Sequence, residues 1–216
     1  MDSICFPQFL LNNGRISAKD AAKLLPLCKK GMPAMAEYEE DRHAYKKIRQ
    51  NPVNEVVLKL CGGDLAEEAA IYADYMQLFV ESMVEYMSTP AVIEPKIPVL
   101  GDGGKELNAV SQRMDGDVSL VPGIMAGERE FLTLAERMSG EELNEIDDLA
   151  IDSLQEFINV VNGVFSIKMA ERGLEVELEA PRAGKIIAPN ANKQVLLSLF
   201  TGFGSFFVVL SADEFM

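Results

Sequence analysis

The segment LNEIDDLAIDSLQEFINVVNGVFSIKMAER, residues 143–172, constrains the fold more than any other part of the chain. At about 100° per residue, Leu154, Ile158, Val161, Phe165 and Met169 gather on one flank, the i, i+4, i+7, i+11, i+15 spacing of a buried stripe. The spacing predicts one long helix over roughly 143–172, stopped at Gly173 as a glycine C-cap stops a helix. A stripe of that length has to be covered by a second layer. Asp152, Glu156, Asn159 and Gly163 project about 160° around the same wheel. A carboxylate and an amide three residues apart are, on most helices, plain solvated surface. Here the packed stripe makes that polar row a rigid platform, and Glu156 with Asn159 becomes a candidate site.

The flanking segments supply the other layer. Ala69, Tyr72, Met76, Phe79, Met83 and Tyr86 recur at helical spacing between Leu65 and Met87, which reads as a second long core helix. Pro90, Pro95 and Pro98 punctuate a loop, and strands are expected over 106–113 and, after a turn at MDGD, over 117–124. A helix from about Glu128 to Met138 ends at Ser139-Gly140, and LEVELEA, GKIIAPN, QVLLSLF and SFFVVLSA read as successive antiparallel strands. The run VLLSLFTGFGSFFVVL, residues 195–210, is too short to span a bilayer as a helix and is broken by Thr201, Gly202 and Gly204, so it is expected as a β-hairpin in a core. The fold class that follows is α+β, an antiparallel sheet with long helices packed on it.

Upstream, residues 9–25 read as helix, turn at Asn13-Gly14, and helix, with Ser17 and Asp20 placed as a capping box. A charged helix over 34–51 is expected to end at Asn51-Pro52, and Gly62-Gly63 offers a hinge. The expectation is a small helical unit over 1–62, an interaction module, ahead of a larger domain over 63–216. Charge divides the same way. Residues 1–62 carry ten Lys and Arg against seven Asp and Glu, a balance of +3, while residues 63–216 carry ten against twenty-seven, or −17.

A net charge of −14 argues against a general nucleic-acid binder, which needs a basic surface to meet phosphates. Cys5, Cys28 and Cys61 are odd in number, widely spaced and free of any CxxC, the usage of reduced thiols in a cytoplasmic protein. No basic-then-apolar stretch opens the sequence, and no membrane anchor is expected. His43, the single histidine, sits in the charge run EEDRHAYKK, so a histidine-based nucleophile or metal centre is not expected. No phosphate-loop, dinucleotide, zincin or nucleophile-elbow pattern occurs. GDGGKE (101–106) reads as a β-turn, and GEELNEIDD (140–148) as an acidic helix start rather than a calcium loop.

After those exclusions ERMSGEELNEIDDLAIDSLQEFINVVNGVF remains, and it resembles the CheX/CheC family of chemotaxis response-regulator phosphatases. The family motif sets an acidic residue or Ser, then Glu, then Asn on one helix, with a Pro further on. Here these are Asp152, Glu156, Asn159 and Pro181. A single copy of the motif is similar to CheX, and the resemblance covers roughly residues 63–216. Residues 9–25 also resemble, more faintly, small helical repeats at the N-termini of some secretion ATPases, without their leading Arg-Leu-Gly.

The resemblance implies a CheX/CheC-like sheet with long packed helices, acting in trans on the phosphorylated receiver domain of a CheY-like response regulator. It implies no cofactor in this chain, the Mg²⁺ being expected on the partner receiver domain. Asn159 would orient the attacking water and Glu156 would hold the partner's lysine. The alternative is a non-catalytic module of the same fold that docks a signalling or flagellar partner. The long apolar final strands, if one of them lies at a sheet edge, point to a homodimer formed by residues 63–216.

Overall fold

The structure, a computed structural model, describes residues 2–28, 38–48, 50–66, 68–100 and 104–216, without the side chains of residues 2–5, 27, 28, 39 and 64. Seven helices and eight strands are defined among them. The chain begins with α1 (Asp2–Asn12) and α2 (Ala18–Cys28), joined by a turn in which Gly14 takes φ +66°. Ser17 and Asp20 cap α2 as expected, the Asp20 N–H donating to Ser17 Oγ at 3.2 Å. Next come α3 (Glu39–Tyr45) and α4 (Pro52–Leu60). Asn51-Pro52 does separate two helices, but by opening the second. Asn51 Oδ1 accepts from Val53 N–H at 2.9 Å, and Pro52 fills the first helical position, where a missing N–H costs nothing. Of the charged helix expected over 34–51, residues 34–37 and 49 lie outside the described residues.

The main layer is a six-stranded antiparallel sheet in the order β1-β7-β8-β4-β2-β6. Its strands are β1 (Val92–Ile93), β2 (Leu107–Ser111), β4 (Val121–Ala126), β6 (Arg182–Ile186), β7 (Gln194–Phe200) and β8 (Ser205–Ser211). A second, two-stranded sheet pairs β3 (Met114–Gly116) with β5 (Val176–Leu178). The expected turn at MDGD is therefore a strand over its first three residues, recruited by β5 from across the chain. The expected hairpin is β7–β8, paired along its full length. β8 is paired on both sides, whereas the outer side of β7 meets the two-residue β1 only at Leu199 and Phe200. β6 is the strand at one end of the order, and it exposes Arg182 and Lys185.

Register explains which residues meet. Val110, Ile124, Val208 and Leu197 stand in one row across four strands and face the helices. One residue along, Gly123, Val209 and Leu196 face the other way, as the two-residue period of a strand requires. On that second face the ring of Phe215 lies against Gly123, in space that any side chain would fill. The helix face is covered by α5 (Ala69–Met87), α6 (Glu128–Ser139) and α7 (Asp148–Ala170), whose Phe79 and Phe157 meet edge to face at 5.4 Å.

The same core continues past the expected boundary at 62/63. Val53, Val56 and Val57 of α4, with Cys61, belong to one buried cluster with α5 and α7. Farther upstream, Gln8 is fully buried and pairs with β1 as another strand would. Its Nε2 donates to Ile93 O at 2.8 Å, and Ile93 N–H donates to Gln8 Oε1 at 2.7 Å. A side-chain amide thus closes a strand edge. Cys61 is buried and free; the side chains of Cys5 and Cys28 lie outside the described residues. His43 is exposed on α3. Among the described residues no helix is long and apolar enough to cross a membrane.

Candidate functional site

Helix α7 has 23 residues, a little over six turns, and begins five residues later than its sequence pattern suggested. Asp147 caps it, accepting from Ala150 N–H at 3.0 Å. The acidic stretch before it is a loop tied to α6 by Leu143 N–H donating to Glu136 Oε1 at 3.1 Å. A competing acceptor holds those residues out of the helix. Leu154, Ile158, Val161, Phe165 and Met169 are all buried, as the stripe requires.

The polar row divides in two. Asp152 and Glu156 are exposed, and Glu156 has no ion pair among the described residues. Asn159 is half-buried. The buried face of α7 is wider than the stripe, because the helix packs against α5 and α6 on one flank and against β2, β5 and β6 on the other. Asn162 lies inside that wider face, fully buried, and Asn159 lies about 60° beyond it, on the shoulder.

What holds Asn159 on the shoulder is Gln112, the residue after β2. Gln112 Nε2 donates to Asn159 Oδ1 at 2.9 Å and to the Glu179 carbonyl at 2.8 Å. Its Oε1 accepts from Asn162 Nδ2 at 2.9 Å, and Asn162 Oδ1 accepts from the Tyr75 hydroxyl at 2.8 Å. Gln112 is 1% exposed, and Asn162 and Tyr75 are fully buried. Burial drives the Tyr75 phenol well above its ordinary pKa, so it remains a protonated donor. Its ring meets Phe165 edge to face at 5.2 Å. Every member of this buried chain has a partner, as buried amides need.

Pro181 follows Glu179 by two residues and stands just before β6. The neighbouring segment is pinned by Glu179 N–H donating to Arg113 O at 2.9 Å. The Glu179 carboxylate lies between Arg113, at 3.7 Å, and Arg182, at 3.6 Å, so two guanidinium groups stand near the residue whose carbonyl shares Gln112 with Asn159, on an otherwise acidic chain. A cleft of about 390 Å³ opens beside the first turn of α7, lined by Asn108, Glu128, Phe131, Ile151 and Lys185 among others, and neither Glu156 nor Asn159 contributes to it. Glu156, exposed, and Asn159, half-buried, lie on the surface of α7 outside that cleft, a placement that suits contact with another protein more than enclosure of a small molecule.

The sequence pattern placed Glu156 and Asn159 on one helix, one turn apart, and the structure does the same. It did not reveal Gln112 or Tyr75. Asn162 carried a visible signal: it falls about 40° from Ile158 on the wheel, and a polar residue beside a buried stripe needs a buried partner.

Residues 109–194 match the family model described as chemotaxis phosphatase CheX. Among solved structures, the chain is similar to a chemotaxis protein CheX from Desulfovibrio desulfuricans, with TM-score 0.54 and 12% identity over 65% of this chain and 97% of that one. It is similar to a chemotaxis protein CheX from Vibrio vulnificus, with TM-score 0.52 and 17% identity over 63% and 92% of the two chains. It is also similar to a chain of a CheX–CheY–BeF₃–Mg²⁺ complex from Borrelia burgdorferi, with TM-score 0.50 and 14% identity over 63% and 94%. No curated protein matches the sequence. The fold is CheX/CheC-like, and Gln112, Glu156, Asn159, Asn162, Glu179 and Pro181 all lie inside the matched residues.

Proposed function

We propose, from a CheX/CheC-like fold and a CheX match that contains the whole E-x-x-N row, that this protein hydrolyses the aspartyl phosphate of a response-regulator receiver domain. The observation that carries the reading is Asn159, one turn beyond the exposed Glu156, held by Gln112 on a rigid helix face with the rest of its amide free to meet a partner.

An acyl phosphate is already reactive, and its hydrolysis chiefly needs a water in line with the P–O bond that breaks. Positioning and charge stabilisation then carry most of the catalysis. Oδ1 of Asn159 has two lone pairs, and Gln112 takes one. The other can accept from the attacking water, while the NH₂ group donates to a phosphoryl oxygen. Water attacks phosphorus, the bond to the aspartyl oxygen breaks, inorganic phosphate leaves, and the aspartate is restored. A carboxylate at 159 would repel the phosphoryl oxygens; an amide does not. Glu156, without an ion pair among the described residues, is suited to pair with a lysine of the receiver and fix the docking register. Mg²⁺ bound on the receiver would offset phosphoryl charge, and no residue of this chain is assigned to it.

The test is the loss of phosphate from a radiolabelled phospho-receiver, with and without this protein. Faster decay is the expected result. Binding without acceleration would instead leave a docking module.

A further inference from the structure

We propose that Gln112 is a positioning residue which fixes the direction of the Asn159 amide, so that Asn159 shows its NH₂ group and one carbonyl lone pair to the partner. This rests on the reading of Asn159 as the group that faces the phosphoryl.

The warrant is the direction of the hydrogen bonds. A side-chain amide rotated by 180° exchanges oxygen for nitrogen, and in isolation either orientation is possible. The Glu179 carbonyl removes that freedom, because a backbone carbonyl only accepts. Gln112 must therefore turn Nε2 toward it, at 2.8 Å. Oε1 then faces Asn162, which must donate, so Asn162 Oδ1 faces Tyr75, whose hydroxyl supplies the proton. The second Nε2 proton of Gln112 points at Asn159 and requires an acceptor there, which Oδ1 provides at 2.9 Å. Reversing Asn159 would set one NH₂ group against another with Gln112 1% exposed. One backbone carbonyl thus sets the polarity of three side-chain amides. The outward face of Asn159, two donors and one acceptor, suits an oxygen-rich anion together with a water.

A merely structural role for Gln112 can be separated from a positioning role. Gln112→Met removes both donors and the acceptor at similar length. Asn162→Leu removes a buried amide from the same chain but leaves Gln112 bonded to Glu179 and Asn159. Each should lower the melting temperature. On a phosphorylated receiver, Gln112→Met should lower kcat by at least about tenfold with little change in KM, and Asn162→Leu should lose less. Side-chain ¹⁵N relaxation of the Asn159 NH₂ gives a second readout that needs no activity. It should report an ordered amide in the unsubstituted protein and in Asn162→Leu, and a mobile one in Gln112→Met. Should Gln112→Met fail to fold, Gln112→Glu keeps the length and, even as the neutral acid, retains one donor for two acceptors; the same losses are expected. An unchanged kcat in the Gln112 variant, or an Asn159 amide equally ordered in it, overturns the proposal. If the unsubstituted protein does not accelerate dephosphorylation, the phosphatase reading fails instead, and the relaxation measurement alone decides whether Gln112 holds Asn159.

Discussion

At the scale of single residues, Asn159 and Glu156 should fail in different ways. Asn159→Ala removes the water's orienting group and should cost at least about a hundredfold in phosphatase rate, on the order of 3 kcal/mol, while binding of the receiver persists. Glu156→Ala should weaken binding and rate together. Asn159→Asp can still accept from Gln112, so it isolates charge from anchoring; a carboxylate facing a phosphoryl group should leave it nearly as inactive as Ala. Phospho-receiver decay and receiver titration read all three, and near-normal decay in each would reduce the pair to a wet helix face. The relay gives a separate comparison on α5. Tyr75→Phe strands the buried Asn162 Oδ1 and should cost about 1–3 kcal/mol in urea unfolding. Tyr72→Phe deletes the same atom from a hydroxyl with no partner among the described residues, and should be neutral or stabilising. Glu156 and Asn159 were legible in the sequence because a helix wheel is a local property. Gln112 was not. Its partners lie 47, 50 and 67 residues away, and nothing local says that β2 runs under α7.

At the scale of elements, periodicity located every long helix, and the errors fall where a distant partner competes. The start of α7 was misplaced because GEELNEIDD has the composition of a helix start, yet Glu136 takes the Leu143 N–H and Asp147 takes that of Ala150. The MDG strand was hidden because three residues show no period; only β5 makes them a strand. Strand order was equally hidden, since LEVELEA, GKIIAPN and QVLLSLF follow one another in sequence but join three different neighbours. The cap yields a prediction. Asp147→Ala should destabilise by about 1 kcal/mol, read as a lower melting temperature. Because Asn159 lies more than three turns further along, the phosphatase rate measured well below melting should hardly move.

At the scale of the whole molecule, composition and charge suggested a separable helical unit over residues 1–62, whereas the packing runs across that position. Residues 63–216 expressed alone would lack Val53, Val56 and Val57 from the main core and Gln8 from the outer edge of β1. They should aggregate, or melt well below the full chain, in light scattering and thermal unfolding; a soluble fragment of full stability would show that α4 and Gln8 are dispensable. The Gln8 contact also ties two distant parts of the chain. A glutamine on the first helix, 85 residues from its partner, meets both backbone groups of Ile93 on the end strand of the sheet. No substitution at position 8 is local to its helix, because each one also decides what the backbone of Ile93 bonds to.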